Sequence, residues 1–147
     1  MHVATFDQLD PRTLYAILKL RSDVFIVEQE CAYQDLDGRD DEPGTRHLWL
    51  TTDDAVGPLA YLRVLDEPDG TAVVGRVVVA PAGRRRGYAQ RLLAQAVELI
   101  GDRESLLNAQ TYAKDLYEAA GYRIDGPEFL DDGIPHVPMR RPGHGGS

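Results

Sequence analysis

The 147-residue chain holds one cysteine, Cys31, so no disulfide can close within it. It has no apolar run long enough to cross a bilayer and no apolar leader stretch, and a cytoplasmic location is expected. Basic residues are scarce beside acidic ones, 16 against 24, for a formal charge of -8. Such a balance does not build the positive field that nucleic acid or an anionic membrane recruits, so neither is expected as a partner; a cationic one suits it better. Internal repeats are lacking as well. What is present, 43% hydrophobic residues, fills one core and leaves no room for a second domain of ordinary size. Residues 1–141 are therefore expected to form a single domain, with 142–147 as a disordered tail, and the chain is compatible with a homodimer.

Periodicity places the elements. His2 to Phe6 alternates weakly, as a short strand would, and Asp10-Pro11 supplies an N-cap followed by proline at the first helical position. Leu14, Ile17, Leu18 and Phe25 then mark a helical stripe on which Arg21 stands where another apolar residue is expected. From Glu28 to Gly44 the period vanishes and Asp35, Asp37, Asp40, Asp41 and Glu42 accumulate in a loop. Three strands follow, His47 to Thr52, Leu59 to Leu65 and Thr71 to Val79, separated by turns at Asp53-Asp54 with Gly57 and at Pro68-Asp69-Gly70; an antiparallel meander is expected. The run Val77-Val78-Val79 is apolar on both faces, which suits a central strand. A helix stopped by Gly101, a strand from Leu106 to Gln110, a helix from Ala113 to Ala120, and two closing stretches, Tyr122 to Ile124 and His136 to Met139, complete the expected domain.

The segment between that central strand and the next helix carries the chemistry. Arg84, Arg85, Arg86, Gly87, Tyr88, Ala89 and Gln90 form a turn into a helix N-terminus, where unpaired N–H groups and the positive end of the macrodipole meet. Gly87 and Ala89 let a ligand approach the main chain, so a pyrophosphate would fit. Neither the Walker pattern nor the three-glycine dinucleotide fingerprint is present.

Arg84-x-x-Gly87-x-Ala89, preceded by Val79-x-Pro81, resembles the acetyl-CoA signature of the GNAT acetyltransferase superfamily. Ala113-x-x-Leu116-Tyr117-Glu118-x-x-Gly121-Tyr122 resembles its second cofactor helix. Upstream, Leu20-Arg21-x-x-Val24-Phe25-x-Val27-Glu28-Gln29-x-Cys31-x-Tyr33-x-Asp35-x-Asp37-Gly38-x-Asp40, then His47-Leu48, is similar to the ElaA-like branch. The resemblance implies an α/β fold, a mixed and mostly antiparallel sheet flanked by helices, with a cofactor cleft between splayed central strands. It implies acetyl-CoA as co-substrate, held by Val77, Val78 and Val79, by the turn from Arg84 to Gln90, and by Gln110, which stands where many relatives carry asparagine. An amine would attack the thioester directly, with the amide of Val78 or Val79 polarising the carbonyl and Tyr117 protonating the departing thiolate.

Glu28 is the candidate base and His136 the reserve, while Arg21, Tyr33 and Asp35 are candidates for substrate contact, the acidic loop attracting a polyamine or a basic peptide terminus. Blander readings stand beside these. Arg21 can pair with Glu28 or Asp35 and hold the loop; Tyr117 can be core with its hydroxyl at the edge; Cys31 reads as an inert thiol. Asp35-x-Asp37-Gly38-x-Asp40 departs from a calcium loop, with glycine fourth and Arg46 twelfth, so no metal is expected. Two other functions fit the same cleft: a non-catalytic acyl-CoA sensor and a nucleotide-binding phosphate loop.

Overall fold

The computed structural model describes residues 1–53 and 57–143. Eight strands, β1 (His2–Ala4), β2 (Arg46–Leu50), β3 (Ala60–Asp66), β4 (Ala72–Val79), β5 (Ser105–Gln110), β6 (Arg123–Ile124), β7 (Phe129–Asp131) and β8 (Ile134–Arg141), form one sheet. Their order is β1-β2-β3-β4-β5-β8-β6, with β7 beside β8. β4 and β5 run parallel and the other neighbours antiparallel, so the expected meander of β2, β3 and β4 is present and β4 is central.

Helices α1 (Pro11–Arg21), α2 (Tyr88–Ile100) and α3 (Lys114–Ala119) flank the sheet. Asp10 caps α1, its Oδ1 accepting the Thr13 N–H at 2.8 Å, with Pro11 at the first position. The buried stripe is Ile17, Leu20, Arg21, Val24 and Phe25, with Leu14 and Leu18 only half-buried. Past Arg21 the helix widens into π-helical turns over Ser22–Glu28, where Gln29 N–H bonds Val24 O and Cys31 N–H bonds Ile26 O. This stripe packs on Tyr61 and Val78, on one face of the sheet. On the other face Leu92, Leu93, Ala96 and Ile100 of α2 and Tyr117 of α3 pack against Leu62, Val64, Val74, Leu107, Val137 and Met139. Each large side chain removed from water there stabilises the fold by about 1.5–3 kcal/mol.

The C-terminal part departs from the sequence expectation. β8 runs from Ile134 to Arg141 rather than from His136 to Met139, and β7 forms a hairpin with it through Asp132-Gly133, at φ 50° and 79°. Pro135 and Pro138 within β8 argue against a strand on sequence grounds. Arg141 pairs with Ser105, and a Cβ at Gly143 would lie 2.7 Å from Asp102 O; of the expected tail, 144–147 lie outside the described residues. So does Asp54 of the turn expected before β3.

Leu92 is fully buried at the centre of the larger core. Leu92→Ala should lower the unfolding free energy by about 2–5 kcal/mol, measured by urea titration.

Candidate functional site

β4 and β5 pair only at Ala72↔Ser105 and Val73↔Leu106. Beyond those residues the two strands part, and the backbone of β4 that faces β5 has no ladder partner. Alternation decides which groups face the gap. The Ala80 N–H bonds Leu59 O on the β3 side, so Val78 also faces β3, and the N–H and C=O groups of Val77 and Val79 face the gap. One extra residue in β4 between its pairings Tyr61↔Val78 and Arg63↔Gly75 makes the bulge that turns them there, with Arg76 at φ 54°.

The turn at the end of β4 is built as the sequence suggests. Arg85 and Gly87 take positive φ, 65° and 75°, which draws successive N–H groups to one side. Those of Arg85, Arg86, Gly87, Tyr88, Ala89 and Gln90 find no backbone acceptor among the described residues; the first bond of α2 is Arg91 N–H to Gly87 O. Arg84, Arg85, Gly87, Tyr88, Ala89 and Gln90 line a hollow of about 130 Å³, and Arg86 does not.

A cleft of about 950 Å³ runs from this turn through the gap. Val77, Val78, Val79, Tyr117, Gln110 and Tyr33 all line it. Tyr117 is buried, edge-on to Tyr122, and its hydroxyl has no hydrogen-bond partner among the described residues. Burial pushes its phenol above the usual tyrosine range, so it is protonated at neutral pH.

Residues 22–33 form a strap across the mouth. Glu28 holds Arg84 through two hydrogen bonds of 2.6 Å, Gln29 meets Gln110 at 3.5 Å, and Cys31 Sγ lies 3.6 Å from Asp132 O. The Arg84 hydrogen bonds hold the Glu28 carboxyl below its usual range, which makes it a poor proton acceptor. Glu28 as the candidate base is thereby corrected: its carboxylate is engaged by Arg84 of the turn.

Arg21 and Asp35 do not line the cleft. Arg21 is fully buried, with Nε 2.9 Å from Asp35 Oδ2 and Nη1 2.8 Å from Asp40 Oδ1. Substrate contact by either is corrected to the loop-holding role, because their polar atoms are already matched. Arg63 of β3 bonds Asp37 and Asp40, and Arg76 reaches Asp35 and Asp37. Arg76 Nε sits 2.9 Å from Asp35 Oδ1, near enough for an ion pair but out of line for a hydrogen bond. Three arginines thus neutralise Asp35, Asp37 and Asp40 from beneath. Sequence reasoning missed Arg63 and Arg76, although a charge inside each of two apolar strands is a readable signal.

A family model described as an acetyltransferase (GNAT) domain matches residues 19–142. The chain belongs to the GNAT acetyltransferase family. Within it the ElaA-like branch is the match: UPF0039 protein Rv2851c of Mycobacterium tuberculosis H37Rv is 47% identical over 140 residues, 93% of this chain and 89% of that protein. The crystal structure of Escherichia coli ElaA superposes with a TM-score of 0.88 at 34% identity, covering 95% of this chain and 97% of that one. A Pseudomonas aeruginosa acyl-CoA N-acyltransferase gives 0.86 at 38% identity, with the same coverage. The GNAT domain and its parted strands agree with the fold expected from the two sequence motifs.

Burial opposes ionisation of Asp40 in this GNAT domain, but hydrogen bonding and charge from Arg21 overcome it, while Arg63 chiefly depresses Asp37. Both carboxyls titrate below the ordinary value of 3.8, so they contribute stability above that pH and lose it as pH falls through their depressed range. Arg21→Ala should cost about 3–5 kcal/mol in urea unfolding by leaving buried carboxylates unpaired, and the stability that these two carboxyls contribute to wild type should be lost as pH falls through 3.8 into their depressed range.

Proposed function

We propose that this GNAT domain transfers an acetyl group from acetyl-CoA to an amine by direct attack in a ternary complex. The observation that carries this reading is the parting of β4 from β5 directly before a turn of unpartnered N–H groups. A linked diphosphate satisfies the turn, as its N–H groups and helix end favour oxyanions, and a pantetheine amide chain satisfies the main-chain groups of Val77 and the N–H of Val79, whose carbonyl already accepts from Arg84 Nε at 3.3 Å. The relation to an acyl-CoA N-acyltransferase of P. aeruginosa supports the same co-substrate.

Alternation favours Val79 or Val77 over Val78 as the donor to the acetyl oxygen. Tyr117 donates its proton to the departing sulfur from the α2 and α3 face, its hydroxyl being otherwise unpartnered. Gln110 holds the pantetheine arm from β5. We assign Glu28 and Arg84 to each other as a clasp between strap and turn.

The cationic acceptor also changes its basis. Asp35, Asp37 and Asp40 are matched by Arg21, Arg63 and Arg76, whereas Asp131 and Asp132 line the cleft without an ion-pair partner among the described residues. They would receive a polyamine or a peptide amine at the mouth.

Acetyl-CoA and CoA should each raise the melting temperature, by about 2.7 kcal/mol of stabilisation at a hundredfold excess over Kd, and ATP should not. A shift with ATP alone would favour a nucleotide module, and binding without acetylation of any amine would favour a sensor. Tyr117→Phe should lower kcat about 10²-fold while leaving KM for acetyl-CoA within a factor of two.

A further inference from the structure

With Glu28 engaged by Arg84, the attacking amine needs another group to take its proton. Strand register shows where that group must stand. Val73 pairs with Leu106, which puts Leu106, Asn108 and Gln110 on the sheet face covered by α1 and the strap; Gln110 pairs with His136, which puts His136 on that face too. Its neighbour Val137 points the other way, into the core that holds Tyr117. Tyr117 and His136 therefore approach one cleft from opposite faces of the sheet, through the gap between β4 and β5.

His136 is held for proton transfer. It is 9% exposed, stacked on Phe129 at 5.9 Å between ring centroids, and its Nδ1 is 2.7 Å from Ile134 O. A carbonyl only accepts, so Nδ1 carries the proton and donates it, leaving the Nε2 lone pair unprotonated in the neutral ring. Nε2 has no hydrogen-bond partner among the described residues, and it is not among the polar atoms sealed from solvent. Charged groups lining the same cleft are Asp131 and Asp132 on its own hairpin, Glu28 and Arg84 across the mouth, Arg63 on β3 and Arg76 on β4.

We propose that His136 is the general base of the transfer, an inference that rests on the acetyltransferase reading above. The acceptor enters as its ammonium; Nε2 takes one proton from it, and the electron pair so freed forms the C–N bond to the acetyl carbon. The C–S bond breaks, the sulfur takes the proton of Tyr117, and the tyrosinate is reprotonated by the second proton that the nitrogen loses as the amide forms. The products are the amide, the free thiol and one proton, which leaves through the imidazolium.

The test measures thiol release with acetyl-CoA against butylamine, spermidine and a lysine-containing tripeptide from pH 5 to 9. Wild type should show kcat/KM rising with slope one from the acid side as the general base loses its proton. His136→Gln should lose that limb and about 10²-fold in rate at pH 7, with its thermal shift by CoA retained. In Glu28→Gln the limb should persist. A limb and rate in His136→Gln that superpose on wild type would overturn the assignment of the base while leaving the acetyltransferase reading intact. Should His136→Gln fail to fold, a wild-type profile without the limb would overturn it equally. No thiol release with any of the three amines would count against the enzymatic reading and this inference together.

Discussion

A sheet satisfies its backbone only where strands stay in register, and here β4 and β5 keep theirs for two residue pairs before they separate. The N–H groups of β4 that the parting leaves unmatched are a cost in an empty fold and a binding surface in an occupied one. The bulge at Arg76 and the β3 bond of Ala80 determine which of these groups face the opening. α2 follows β4 through the turn of residues 80–87, so the same parting brings a second set of unpartnered N–H groups to the end of the groove.

The other face of the sheet is shaped by charge. Arg21, Arg63 and Arg76 neutralise Asp35, Asp37 and Asp40 beneath the strap, and Tyr61 and Tyr33 stack on two of the three guanidiniums. Buried pairs of this kind are weak sources of net stability, but removing one partner is costly, so they specify one path for residues 34–42. That path positions the strap, and the strap places Glu28 on Arg84 and Gln29 on Gln110 at the edges of the cleft.

Much of the molecule was legible in sequence because its signals are local. Strand, turn and helix around Val79 to Gln90 announce themselves through apolar content, glycine placement and helix capping, and the capped start of α1 does likewise. The acidic loop misled for the opposite reason. Its partners Arg63 and Arg76 lie 26 and 41 residues away from the aspartates they meet, so the loop's charge looked unmatched. β7 and the ends of β8 were hidden by Pro135 and Pro138, which tertiary pairing overrides. The tautomer of His136 depends on a carbonyl two residues back along an extended strand, a relation that only the backbone conformation reveals.

Amide hydrogen exchange with and without CoA reads the central claim residue by residue. Slower exchange confined to Val77, Val79 and the stretch from Arg85 to Gln90 is the expected result, since those are the N–H groups the parted strand and the turn leave unpartnered. Unchanged exchange there, or protection concentrated elsewhere in the sheet, would contradict it.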